Sequence, residues 1–408
     1  MKLNKTFGRI ATTLVATAML ASVTAVPAMA ADDQIQTGNE GAALASIVID
    51  KELDKPANAY APDVDFTFTI SKGDADEEED ALLDETASGT ATGGSTVTLE
   101  VYNGVMAAFA TTTGTASFAP STGTGDDSDI GKTLLTEQAT FAITNTAFQH
   151  AGVYKYTLSE STITAEGNYE GITNDTNVRY LYVYVRANNN GGYEAYGAVV
   201  KGGNGDEAGT TGKQDRFTNT YLGGSTDPDT NEVMVNKQVT GDLGNKSNPF
   251  NFTIAINGAS GEKYYVEYWH YVDTDDDDIE DTWVVDNRDA FDVSSGAAAT
   301  PITLAHNEAI KIYGLSDSDT YTIVETDYND DNYTTTVTNT VSGEDTVNEG
   351  TVTGSITPTS ETQKNITYTN KRDAVSPTGI AMDIAPYALL VIVAAAGCFV
   401  FLRKRRED

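Results

Sequence analysis

One cysteine in 408 residues, Cys398, excludes an intrachain disulfide. The three histidines, His150, His270 and His306, stand far apart and offer neither a His-based metal set nor a serine–histidine relay. Basic residues are scarce. The 25 Lys and Arg face 60 Asp and Glu, a formal net charge of −35. That balance argues against nucleic acid, whose phosphates need a basic surface, and against docking on anionic lipid. Proline is sparse, whereas Tyr, Thr, Val and Gly abound, which leans toward β structure. A hydrophobic content of 39%, with 21 Tyr and 13 Phe, is enough for packed cores, and the length accommodates two or three domains.

Long apolar runs occur only at the ends. Lys2, Lys5 and Arg9 precede an apolar stretch that closes on Ala28-Met29-Ala30, a small-x-small cleavage site. Residues 1–30 therefore read as a secretory signal peptide cut before Ala31. Residues 382–402 form an apolar run of membrane-spanning length, followed at once by Arg403-Lys404-Arg405-Arg406, which places the C-terminus in the cytoplasm. Just ahead stand Val375, Ser376, Pro377, Thr378 and Gly379. Pro-Thr-Gly, apolar helix and basic tail, residues 374–408 together, resemble the cell-wall sorting signal of Gram-positive bacteria. The usual Leu-Pro-x-Thr-Gly lacks its Leu and first Pro here. The resemblance implies a sortase that cuts between Thr378 and Gly379 and passes the Thr378 carboxyl to an amine. Without leader and tail, 18 basic residues face 57 acidic ones, a net charge of −39, and no cysteine remains. An extracellular protein without disulfides needs another staple.

Between the signals, residues 31–41 are polar and expected to be disordered. Residues 42–221 carry alternating segments at 47–53, 66–70, 97–102, 140–144, 153–160, 179–186, 193–200 and 217–221, separated by Gly, Asn, Asp and Thr clusters. This is the pattern of an antiparallel β-sandwich. Residues 222–232 read as a linker. A second set occupies 233–373, with segments at 233–239, 251–256, 264–269, 302–304, 309–313, 321–325, 333–338 and 366–370. The two sets form a degenerate repeat. Val-Met-Val-Asn-Lys (233–237) echoes Ile-Val-Ile-Asp-Lys (47–51), and Asn-Phe-Thr-Ile (251–254) echoes Asp-Phe-Thr-Phe-Thr-Ile (65–70). Tyr-Thr-Ile-Val-Glu (321–325) echoes Tyr-Thr-Leu-Ser-Glu (156–160), and Tyr-Thr-Asn (368–370) echoes Phe-Thr-Asn (217–219). Each set thus carries Lys, Glu and Asn in the same order.

Strand side chains alternate faces with period two. Lys51 lines up with Ile47, Ile49 and Leu53, and Lys237 with Val233, Val235 and Val239. Glu160 and Glu325 share faces with Tyr and Leu or Ile, and Asn219 and Asn370 share faces with Phe, Tyr or Ile. All six polar residues fall on core-facing stripes. A buried charge is costly unless paired or neutralised. A buried Lys can lose its proton and become a nucleophile. A buried Glu has its pKa raised, so it can stay protonated, polarise an Asn side-chain carbonyl and shuttle protons. Attack of the amine on that carbonyl expels ammonia and leaves an amide cross-link, with proximity supplying most of the rate.

The chain resembles the two-domain backbone (major) pilin of streptococcal pili, the T-antigen type. The likeness rests on Val-Asn-Lys-Gln-Val-Thr-Gly (235–241), Tyr-Thr-Ile-Val-Glu-Thr-Asp-Tyr (321–328), Ile-Thr-Tyr-Thr-Asn-Lys-Arg-Asp (366–373) and Ser-Pro-Thr-Gly (376–379). It implies an all-β chain of two tandem immunoglobulin-like (CnaB-type) sandwich domains. It also implies Lys–Asn isopeptide bonds, Lys51 to Asn219 beside Glu160 and Lys237 to Asn370 beside Glu325, each tying the first strand of a domain to its last. The function implied is the structural backbone of a covalent surface pilus, not an enzyme. Its partners would be a sortase, further copies head to tail, peptidoglycan and minor pilins. The amine that receives Thr378 would be a late lysine of the first domain: Lys213 first, Lys201 second. A singly wall-anchored adhesin or minor subunit is the alternative, and a secreted glycosidase with paired carboxylates the enzymatic rival.

No cofactor or metal is expected. The acidic run at 273–278 lacks the Gly and Glu of an EF-hand loop, and those at 74–80 and 126–129 read likewise as solvated loops. Gly202-Gly203-Asn204-Gly205 opens no helix and reads as a hairpin loop, not a phosphate cradle.

Overall fold

The structure, a computed structural model, describes residues 36–37, 42–90, 96–121, 129–163, 171–202, 216–226, 232–272, 282–316, 319–339, 344–346, 351–355, 364–374, 387 and 389–395. Its first half holds β1 Gln36–Thr37, β2 Ser46–Asp54, β3 Val64–Lys72, β4 Leu82–Thr90, β5 Thr96–Asn103, β6 Thr113–Phe118, β7 Leu134–Ala142, β8 Gly152–Glu160, β9 Ile172–Thr173, β10 Arg179–Ala187, β11 Tyr193–Gly202 and β12 Arg216–Tyr221. Its second half holds β13 Glu232–Thr240, β14 Phe250–Asn257, β15 Lys263–Val272, β16 Thr282–Val285, β17 Phe291–Ser294, β18 Thr300–Leu304, β19 Glu308–Tyr313, β20 Thr320–Glu325, β21 Thr334–Asn339, β22 Glu344–Thr346, β23 Thr351–Ser355 and β24 Lys364–Lys371.

Each half packs two sheets face to face. In the first, β1-β11-β10-β8-β3-β6 faces β7-β2-β12-β9, and β5 and β4 extend the first sheet from β8. In the second, β16-β15-β19-β13-β24-β21-β22 faces β18-β14-β20-β23, with β17 beside β15. Alternation drives the packing. On β3, Val64, Phe66, Phe68 and Ile70 are buried while Asp65 is exposed, and on β14 Phe250, Phe252, Ile254 and Ile256 are buried while Asn251 is exposed. Burying one such side chain contributes roughly 1.5–3 kcal/mol. Two separate hydrophobic cores result, one per half.

Among the described residues, eight strands, β1, β4, β6, β9, β16, β17, β22 and β23, escape the period-two reading, and two of them show why. Leu-Leu-Asp-Glu-Thr-Ala-Ser-Gly-Thr (β4) and Thr-Gly-Thr-Ala-Ser-Phe (β6) are rich in small and polar residues, like the turns between strands. β4 pairs β5 antiparallel, and β5 joins the sheet beside β8. Leu99 and Val101 of β5 form a third, small cluster with Val153 and Tyr182, against which Leu83 and Ala87 pack.

The expected sandwich is antiparallel, but the first and last strands of each half run parallel. β2 pairs β12 and β13 pairs β24 in parallel, and β5 joins β8 the same way. Side-chain period carries no information about direction, so sequence alone leaves this unseen. Within the stretch expected to be disordered, Gln36–Thr37 pair with β11, and the Gln36 amide bonds both the N–H and the carbonyl of Val48.

The acidic loop at 126–129 is not wholly solvated: Asp129 is buried, and its carboxylate accepts the Ala61 N–H at 2.8 Å. A burial of that kind survives because the carboxylate is hydrogen-bonded. After β12 the chain reverses through Leu222, Gly223 and Gly224, with φ of 51°, 80° and 75°. Glycine suits position 224 because its φ of 75° lies in the left-handed region that L side chains rarely adopt, and a Cβ there would also press on the Asp54 carboxylate. The halves touch where the Tyr60 hydroxyl donates to Asp292 Oδ1 at 2.6 Å.

Candidate functional site

Lys51 leaves β2 toward the core of the first half and is fully buried. Its ammonium Nζ lies 3.0 Å from Glu160 Oε2 on β8, across the sandwich. Asn219, on β12, donates from Nδ2 to the other oxygen of the same carboxyl at 2.6 Å. The second half repeats the arrangement. Lys237 Nζ stands 2.9 Å from Glu325 Oε1, and Asn370 Nδ2 donates to that oxygen at 2.9 Å. In both halves the strands bearing Lys and Asn lie in one sheet and the strand bearing Glu in the other. All six residues expected to react are thus brought together in two sets of three.

Register explains the proximity. Lys51 pairs with Phe217, and Asn219 follows two residues later on the same face; Lys237 pairs with Tyr368, and Asn370 follows two later. The amines also donate to the carbonyls of those register partners, Phe217 at 3.2 Å and Tyr368 at 3.5 Å. Aromatic rings close the sites. Lys51 Nζ sits 4.5 Å above the Phe66 ring and Lys237 Nζ 4.5 Å above Phe250. Phe68 meets Phe217 edge to face at 5.0 Å, and Phe252 meets Tyr368 at 5.1 Å. The roles of these six aromatics are absent from the sequence reading. The signal was there in Phe66-Thr67-Phe68 and Phe250-Asn251-Phe252, matched across the repeat.

Burial favours the neutral forms in both sets. Burial pulls Lys51 and Lys237 down to about 8, against the pull of Glu160 and Glu325 toward the charged form. Burial pushes both Glu carboxyls up, opposed by the paired lysine. Desolvation therefore brings amine and carboxyl toward a neutral pair, the state in which an amine attacks an amide.

Other expected positions stand apart. Lys201 lies on β11 with Nζ 5.0 Å over the Tyr182 ring. Lys213, the expected leader at 1–30, the expected motif of Val375, Ser376, Pro377, Thr378 and Gly379, and most of the apolar run at 382–402 lie outside the described residues. Residues 389–395 are helical, with Leu389, Leu390, Val391, Ile392 and Val393 exposed. Among the described residues no helix is long and apolar enough to cross a membrane.

Residues 47–222 match the family described as the Spy0128-like isopeptide containing domain. A curated Streptococcus pyogenes (serotype M1) protein named pilin is 28% identical over 365 residues, which cover 88% of this chain and 91% of that protein. The chain is similar to that pilin over most of both lengths. The crystal structure of the major pilin from Streptococcus pyogenes shares its fold, with a TM-score of 0.50 at 24% identity over 81% of this chain and 99% of that one. A mutant of that pilin gives the same TM-score and coverage at 23% identity. Residues 231–372 of this chain match a domain of unknown function (DUF7601). The second half nevertheless gathers the same three residue types around one buried carboxyl, with lysine and asparagine on a single oxygen where the first half uses both.

Proposed function

We propose that this pilus subunit is a self-stapling backbone pilin. A role as a structural, non-enzymatic component of a cell-surface pilus follows from its homology to pilins. The observation that carries the finer reading is the duplicated Lys–Glu–Asn set, with Lys51 and Asn219 on one buried carboxyl and Lys237 and Asn370 on another.

In each half the neutral lysine attacks the Asn side-chain carbon. The carboxyl of Glu160 or Glu325 takes the lysine proton and hands it to the departing nitrogen, which leaves as ammonia. The product is an amide between neighbouring strands, made once in each half and without a cofactor. The first and last strands of each half are parallel neighbours, so the chain enters at one end of the sandwich and leaves at the other. Tension between those ends would pass through the amide and bypass the strands between. That supplies the staple that missing disulfides leave open.

Polymerisation is assigned to a sortase acting at Thr378, within Val375-Ser376-Pro377-Thr378-Gly379. Lys213 of the next copy is the acceptor and Lys201 the second candidate; the last copy is transferred to peptidoglycan. The test is an immunoblot of a muramidase digest of the producing cell wall, boiled in detergent. A ladder far above the monomer, abolished by Lys213→Ala, supports the assignment. A single band near monomer mass in the wild type makes the protein a singly anchored surface protein instead.

A further inference from the structure

The carbonyl oxygen of each reacting asparagine meets a hydrogen-bond donor on the side away from the glutamate. In the second half the Thr335 hydroxyl donates to Asn370 Oδ1 at 2.8 Å, and Thr335 is the cross-strand register partner of Asn370 on β21. In the first half the backbone N–H of Asp175 donates to Asn219 Oδ1 at 2.7 Å. That N–H belongs to the loop between β9 and β10. The Asp175 carboxylate anchors the loop through Arg179 at 2.7 Å and the Thr218 N–H at 3.3 Å. Buried Arg179 in turn lies 3.9 Å over the Phe217 ring. Two chemically different donors, from differently built segments, thus reach the same atom of the same group.

We infer that Thr335 and the Asp175 N–H are oxyanion donors for isopeptide formation, an inference that rests on the cross-linking reading above. The chemistry places negative charge where they point. As the neutral lysine Nζ bonds to the Asn side-chain carbon, the carbonyl π electrons move onto Oδ1. The lysine proton passes to the glutamate and from there to Nδ2. The oxyanion then collapses, the bond from carbon to Nδ2 breaks and ammonia departs. Glutamate ends as it began, and lysine plus asparagine side chains equal one amide plus ammonia. In a buried site a fixed donor at Oδ1 lowers the energy of that intermediate without solvent rearrangement. The carboxyl already serves Nδ2 and the amine, so the oxyanion needs a separate donor. Thr335 touches the reacting group directly and is a catalytic residue in this sense; Arg179 acts through the Asp175 loop and is a positioning residue.

A buried carbonyl needs a partner in any case, so the test must separate rate from packing. Closure of both bonds is followed in freshly expressed protein by intact mass and by mapping the branched peptides that join the Lys237 and Asn370 segments and the Lys51 and Asn219 segments. Thr335→Val keeps the shape and removes the hydroxyl; it should slow the second bond roughly 10²-fold. Thr335→Ser should restore the rate to within a few-fold of wild type. The first bond, in the same molecule, should close at its ordinary rate in both variants, reporting that the chain is folded. The pH dependence of the second bond should keep its midpoint while the rate drops, because Lys237 and Glu325 are untouched. A Thr335→Val protein whose second bond closes as fast as wild type overturns the inference while leaving the cross-link intact. A wild-type protein without a branched peptide in its second half overturns the cross-linking reading itself. Thr335→Ala is the second variant if valine crowds the strand.

Discussion

Lys55 is as fully buried as Lys51, four residues earlier in the chain, and the two amines meet opposite surroundings. Lys51 faces a carboxyl and an amide. Lys55 Nζ is ringed by the backbone carbonyls of Pro56, Ala59, Asp129 and Lys132, the last two at 2.9 and 2.8 Å. Burial pulls both down to about 8. What separates a reactive lysine from a structural one here is the partner, because a backbone carbonyl ring offers neither a proton shuttle nor a side-chain amide. Lys55→Met should leave the intact mass free of any change beyond the substitution itself. It should destabilise the first half by roughly 2–4 kcal/mol, since four buried acceptors lose their donor. Thermal melting with parallel intact-mass measurement checks both halves of that expectation.

Glu160→Ala and Glu325→Ala should each retain one ammonia relative to wild type, and the double variant two. Each missing bond should also lower stability by about 5 kcal/mol on the chain-entropy account of long-loop closure. Mass spectrometry decides: a single variant as light as wild type removes glutamate from the reaction.

Stability against pH separates a closed subunit from an open one. In an Asn219→Ala, Asn370→Ala protein both amines stay free. Their folded pKa of about 8 lies below the ordinary lysine value of 10.5. Between those values the unfolded chain binds more protons than the folded one, so stability should rise with pH from about 8 to 10.5. Below about 8 these two lysines add no slope. In the cross-linked protein they are amides and that rise should shrink to what Lys55 contributes. Denaturant titrations at pH 7.5, 9 and 10.5 read the difference; equal slopes in both proteins would contradict it.

A buried acidic pair gives the opposite sign. Asp319, packed by Glu262 and Tyr264 around Gly258, is pushed up to about 7 by burial and by the Glu262 charge. The folded chain therefore binds more protons between about 4 and 7, and this contribution to stability falls as pH rises through that window. Asp319→Asn should raise the melting temperature of the second half at pH 7.5 and gain little at pH 4. An Asn that melts lower at both pH values would assign Asp319 to its hydrogen bond with the Ser316 N–H, at 2.8 Å, instead.

The six residues that the structure brings together are legible in the sequence because a charged or amide side chain on an apolar period-two stripe is visible without coordinates. Six such residues in matched order left little freedom. What sequence could not show follows from where the information sits. Strand direction, which makes β2 and β12 parallel, leaves no trace in side-chain alternation. Lys55 lies just past a strand end and looks like any loop lysine until the loops at 55–61 and 129–132 close over it. Asp129 looked solvated because its neighbours are acidic. The donors to Asn219 and Asn370 come from a backbone N–H and an ordinary strand threonine, neither of which has a sequence signature.

The two-residue offset between Lys51's register partner and Asn219, repeated at Lys237 and Asn370, makes covalent closure conditional on correct pairing. A slip of one residue turns every side chain of the slipped strand to the other face, carrying Lys51 away from Glu160. A misregistered chain has its amine on the wrong side and cannot close. Where the amide forms, it works as a proofreading stamp: it seals only molecules whose first and last strands have found each other, and it leaves misfolded copies open to unfolding and proteolysis before they are built into a fibre.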